Sequence, residues 1–178
     1  MTQAANLAQV GSYAVSTGLP FSGASTLTNG TAVASTSGTS IDFTSIPSWV
    51  KRIIVMFNGV SGSGTSSFQI QLGTSSGVET TGYVSTCNYL TSTSVTSTSG
   101  MCVTANAVAA NNYSGQAIIC LFGSNFWTLN SNMVRNDAAA SFVGTGYKTT
   151  SGTLDRVRIT TFNGTDTFDA GSINIQYE

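Results

Sequence analysis

The sequence predicts an all-β chain: an antiparallel β-sandwich, jelly-roll-like, with an extended N-terminal arm. Three observations carry that expectation. From residue 39 onward, apolar side chains recur at every second position, most plainly where Phe68, Ile70 and Leu72 alternate with Gln69 and Gln71. Gly, Asn and Ser clusters punctuate these runs at short intervals. No segment past residue 12 carries a 3.6-residue period.

Residues 1–38 are weakly patterned. Ala4–Val10 has the makings of one or two helical turns ended by Gly11, and few large apolar residues follow among Gly18, Pro20, Gly23, Asn29-Gly30 and Gly38. This segment reads as an arm or docking segment, and residues 39–178 as the sandwich. Ile41 and Phe43 open the first strand, and Ile46-Pro47-Ser48 turns the chain. Val50–Phe57 is the most apolar run and predicts a central strand, with Asn58-Gly59 as the turn after it. Gly59–Gly64 reads as a flexible hairpin loop. It lacks the Lys and the following helix of a phosphate loop.

Phe68–Leu72 reads as a half-buried strand, and Val78–Ser85 as a strand interrupted by Gly82. Residues 91–100, TSTSVTSTSG, suggest a surface loop or an edge strand. Met101–Ala105, Gln116–Phe122, a strand beginning at Phe126, and a short one at Ala140–Val143 come next. Leu154–Phe162, a hairpin-type turn at Asn163-Gly164, and Ile173–Tyr177 complete the pattern. About nine to eleven short strands with turn punctuation indicate two facing sheets.

Composition narrows the function. Charged residues are 7% of the chain, against roughly 25% in ordinary domains. The 6 Lys+Arg and 7 Asp+Glu leave a formal charge of −1, so a basic footprint for nucleic acid is absent. Hydrophobic residues reach 40%, which argues for a folded rather than a disordered Ser/Thr/Gly-rich chain. Met1–Gly11 has no basic or apolar leader character, and Ile53–Phe57, the longest apolar stretch, is too short to span a bilayer. The expectation is a soluble protein made in a cytoplasm, without membrane insertion.

The chemistry-bearing residues are sparse. His is absent, which removes the commonest general base and metal ligand. Asp166 and Asp169 form the one close carboxylate pair. They read as turn residues, with a cation site or a small glycan-active enzyme as the lesser alternatives. Cys87, Cys102 and Cys120 lack CxxC spacing and read as buried apolar residues, with one disulfide left open. No cofactor or metal is expected, nor an enzymatic role.

Lys51, Arg52, Arg156 and Arg158 carry four of the six basic charges. They suit solvated strand positions, partners for Asp42 and Asp155, or a salt-bridged subunit interface. Among the aromatics, Tyr83, Tyr89, Tyr113, Phe126, Trp127 and Tyr147 lie near turns. Tyr83, Tyr89, Tyr113, Trp127 and Tyr147 are the candidate binding residues, with core packing as the alternative for each.

One stretch goes beyond a generic β protein. Residues 38–83, GTSIDFTSIPSWVKRIIVMFNGVSGSGTSSFQIQLGTSSGVETTGY, resemble a module of tailed-bacteriophage virion proteins such as tail fibres. The features are the "IDFTSIPSWVKRI" entry, "MFNGVS", "QIQLG" and "GVETTGY". The similarity runs on more loosely through Tyr113-Ser114-Gly115, Leu121–Trp127 and Leu154–Ile159. It brings no catalytic motif.

The resemblance implies a β-sandwich on a virion, assembled in the host cytoplasm as a homotrimer and docked to other virion proteins through residues 1–38. A charge-poor surface suits repeated packing of identical subunits. Three roles follow as expectations. The first is a tail fibre or receptor-binding module that reaches host glycan or protein through loops near 61–64, 91–100 and 163–169. The second is a capsid decoration (cement) protein. The third is the glycan-active enzyme.

Overall fold

The computed structural model describes residues 27–89, 93–109, 111–136 and 140–178. The strands in chain order are β1 (Thr28–Asn29), β2 (Val33–Ala34), β3 (Ser40–Phe43), β4 (Arg52–Gly62), β5 (Phe68–Thr74), β6 (Gly77–Val78) and β7 (Tyr83–Tyr89). They continue with β8 (Thr93–Ser97), β9 (Met101–Cys102), β10 (Tyr113–Gly123), β11 (Phe126–Arg135), β12 (Ala140–Thr149), β13 (Arg156–Thr161) and β14 (Phe168–Tyr177).

These strands form two antiparallel sheets packed as a sandwich. The larger has nine strands in the order β1-β14-β4-β10-β11-β12-β7-β8, with β2 also on β14. The smaller has five, β3-β13-β5-β6, with β9 also on β5. The predicted all-β, two-sheet architecture is therefore what the chain adopts. Ala4–Val10 and the rest of 1–26 lie outside the described residues. Of the expected arm, Thr28–Asn29 and Val33–Ala34 pair with β14, and Ser35 is buried, donating its hydroxyl to Ala170 O.

Alternation sorts each strand of the larger sheet into two faces. Ile53, Val55 and Phe57 of β4, Ala117 and Ile119 of β10, Leu129 and Met133 of β11, and Ile173 and Ile175 of β14 point inward. They meet Ile41, Phe43, Phe68, Ile70, Leu72, Val157 and Ile159 of the smaller sheet, and one continuous core results. Rings thread through it: Phe68 stacks on Phe168 at 5.5 Å, Tyr113 meets Phe68 edge-on at 5.7 Å, and Phe142 links Tyr113 to Tyr89.

Residues 101–105 fill the space between the layers, and each is fully buried. This is why the predicted strand there shrinks to β9: Val103 N donates to Phe68 O, and Thr104 Oγ1 accepts from Phe68 N. Gly144 of β12 lies against this segment. A Cβ at Gly144 would overlap the Cys102 carbonyl oxygen and the Ser131 Oγ.

Several local expectations are corrected. Asn58-Gly59 is no turn. Gly59, at φ 63°, bulges β4, whose registers with β10 and β14 both shift nearby, and Val60 and Ser61 are buried inside the strand rather than in a flexible loop. Asn163-Gly164 does turn the chain, with Gly164 at φ 65°. It joins β13 of one sheet to β14 of the other, so it closes no hairpin. A tight hairpin falls instead at Ser124-Asn125, between β10 and β11. Both residues have positive φ, the geometry whose twist matches paired strands.

Gln69 and Gln71 are buried, not solvent-facing, because the Ser97–Gly100 segment folds over them. Ser97 and Ser99 donate to Gln69 Oε1, and Gln71 Nε2 donates to Ser99 O. The low-complexity 91–100 run contains edge strand β8. The segment predicted at Ala140–Val143 runs on to Thr149 as β12.

Candidate functional site

The expected binding aromatics separate by strand parity. Tyr83 (1% exposed), Tyr113 (1%) and Trp127 (3%) take inward positions and lie in the core, and Tyr89 is half-buried. Tyr83, Tyr113 and Trp127 pack within the continuous core, and Tyr89 packs against it from the side. Tyr83 also ties the layers together: its hydroxyl accepts from Leu72 N at 2.7 Å and donates to Glu79 O at 2.8 Å. Burial pushes its pKa well above the usual tyrosine value, and the Leu72 hydrogen bond offsets this only in part. Tyr147 is the one candidate at the surface, at 42% exposure.

Parity also identifies residues that the sequence reading passed over. On β10, Ala117 and Ile119 face in, so Ile118, Cys120 and Phe122 face out. Phe122 is 87% exposed. Phe122 meets Phe126 edge-on at 6.2 Å, and Phe126 stacks on Tyr147 at 5.2 Å. The three rings form a row across β10, β11 and β12 on the outer face of the larger sheet. Val84 of β7, 54% exposed and directly opposite Tyr147 in the ladder, continues it.

Beside the row runs a groove of about 610 Å³, within the roughly 300–1,000 Å³ typical of ligand sites. Its outward side chains are Val84 and Thr86 of β7, Thr96 of β8, Thr128 and Asn130 of β11, and Thr145 and Tyr147 of β12, with Thr98 at the rim. None of its lining residues is charged. Lys148, next in sequence to Tyr147, points the other way. Its Nζ is held 2.7 Å from Glu79 Oε2 and lies 5.4 Å from the centre of the Tyr83 ring. At the far end of the same face, Ser114, Asn132, Val134, Ser141 and Val143 line a second hollow of about 350 Å³.

Glu79 is the most worked carboxylate. Partial burial raises its pKa, but Lys148 and hydrogen bonds from Ser151 N and Oγ outweigh that and bring it below 4.5. Of the expected acidic pair, Asp166 accepts from Asn163 Nδ2 and Ser66 N, and Asp169 accepts from Ser61 Oγ. Neither lines the groove or the second hollow. Among the described residues, no group of three or more His, Cys, Asp or Glu is placed to hold a metal, and no helix is long and apolar enough to cross a membrane.

Three of the four basic residues expected at an interface engage acids of the same chain. Arg158 forms a two-point pair with Asp42, both contacts at 2.7 Å, Arg156 pairs with Asp155, and Arg52 with Glu178. Lys51 is exposed. It borders a separate cavity of about 210 Å³ that is also lined by Trp127, whose indole N–H has no acceptor among the described residues. All three cysteines are free: Cys87 and Cys102 are buried, and Cys120 is half-buried. Burial, with a smaller contribution from Cys102, pushes the Cys87 thiol up to about 12.

Comparison of the chain with protein-family models, curated proteins and solved structures gives no match. The site is therefore read from its own geometry.

Proposed function

We propose that the chain is a non-enzymatic surface protein of a bacteriophage virion, a tail-fibre or receptor-binding module that touches the host with the outer face of its larger sheet. The observation that carries this is the character of that face. From β10 to β8 its described outward side chains are uncharged, and they include the exposed row Phe122, Phe126 and Tyr147. Exposed aromatics clustered on one face mark a recognition surface, whereas scattered single ones do not.

The chain order supports a division of labour. Residues 28–34 join the sheet on β14, at the edge opposite β8, away from the row of exposed rings. The chain also switches sheets at most connections, from β2 to β3, β3 to β4, β4 to β5, β6 to β7, β8 to β9, β9 to β10, β12 to β13 and β13 to β14. That supports the jelly-roll-like reading. The unpaired edge of β8 would invite aggregation on a free monomer, and packing in a homotrimer on the particle would cover such an edge while leaving the aromatic face open.

The test is quantitative mass spectrometry, with antibody labelling in the electron microscope, on particles of the phage that encodes the chain. A few trimers at the tail are expected. Absence from the particle refutes the proposal. Hundreds of copies on the head would replace the tail role with capsid decoration.

A further inference from the structure

Resting on the reading of the outer face as a recognition surface, we infer that the groove between Val84, Thr96, Thr128 and Tyr147 binds an uncharged oligosaccharide. Its polar groups set the ligand's chemistry. The hydroxyls of Thr96, Thr98 and Thr145 and the Asn130 amide make no hydrogen bond to the described chain, so they stay free to exchange hydrogen bonds with ligand hydroxyls. Thr86 Oγ1 already donates to Val95 O and keeps its acceptor capacity.

The threonine methyls, Val84 and the Tyr147 ring supply apolar surface between these groups. A sugar ring is built the same way, with hydroxyls around its rim and C–H groups on its faces. Those C–H groups carry slight positive charge and suit the negative face of Tyr147.

Charge decides between saccharide classes. A uronic or sialic acid brings a carboxylate, and burying one without a cation partner is strongly unfavourable. The groove supplies no cation: the neighbouring Lys148 ammonium lies on the inner side of the sheet against Glu79. A neutral sugar meets no such penalty. Length follows from continuity, since Tyr147 belongs both to the groove and to the ring row. A linear oligosaccharide seated on Tyr147 would extend over Phe126 toward Phe122. A protein partner fits less well, because the groove has neither the Arg nor the Met that protein interfaces favour.

The experiment is calorimetric titration of the purified full chain with short neutral gluco-, galacto- and manno-oligosaccharides, and with oligogalacturonates of matching length. At least one neutral series is expected to bind, and the oligogalacturonates are not. Tyr147→Ala should weaken binding by about tenfold, the upper range of an aromatic contact. Val84→Lys, at a position already exposed, should abolish it while thermal unfolding stays as in the wild type.

The inference is overturned if no neutral series binds, if the acidic series binds as well, or if Val84→Lys binds like wild type. It is equally overturned if sedimentation shows self-association that Val84→Lys removes, which would assign the groove to a second copy. Particle composition tests the virion proposal separately, so failure of one is distinguishable from failure of the other.

Discussion

Replacing Tyr83 by Phe deletes one oxygen and tests how the two layers are joined. The ring sits on β7 of the larger sheet, and its hydroxyl reaches the β5–β6 hairpin of the smaller one. Tyr83→Phe keeps the packed ring but leaves Leu72 N–H, at a residue with 0% exposure, without its acceptor at 2.7 Å. A buried unpaired donor costs about 1–3 kcal/mol. A domain of this size loses about 2–4 °C of Tm per kcal/mol, so the drop should be about 2–12 °C.

The control is Tyr147→Phe, which removes the same oxygen from an exposed ring and should stay within about 0.5 kcal/mol. Thermal unfolding followed by circular dichroism at neutral pH measures both. If Tyr83→Phe melts with the wild type, or if both variants fall equally, the cross-layer hydrogen bond is not what holds this edge closed.

Three further outcomes follow. Glu79 has a folded pKa below its ordinary 4.5, so its contribution is complete above the unfolded value and fades as pH falls through the folded one; Glu79→Gln should flatten the acid limb of a Tm-versus-pH curve, and an unchanged limb would place the acid sensitivity elsewhere. Gly144→Ala should destabilise by about 1–3 kcal/mol in a denaturant titration, because the added methyl has no room against Cys102 and Ser131, and a neutral result would show that residues 101–105 yield easily. In thiol labelling at mildly alkaline pH, Cys120 should react first and Cys87 and Cys102 only on unfolding; early labelling of Cys87 would contradict its burial and raised pKa.

Much of the architecture was legible from alternation. Ile41/Phe43, Phe68/Ile70/Leu72 and Ile173/Ile175 announced their strands, and in the structure these positions are core. What alternation lacks is long-range information. It reports that Gln69 and Gln71 share a face, but not that a segment about thirty residues later folds over that face. It flags a residue of positive φ at Gly59 without distinguishing a bulge from a turn.

The site was partly readable. Tyr147 was selected, but as one of five rings of which three proved internal. The signal that separates them was present: extending the Ala140/Phe142 parity through Gly144 and Gly146 places Tyr147 outward. The same extension from Ala117 and Ile119 would have found Phe122. The pairing of β10, β11 and β12 that lines these rings up has no local signature.

Adsorption of the purified protein to bacterial cells offers the most direct trial of the proposed recognition face. Wild-type protein should adhere, and a Phe122→Ala/Tyr147→Ala double variant with unaltered melting should not. Equal adhesion by both proteins, or none by the wild type, would contradict the assignment of host contact to the outer face of the larger sheet.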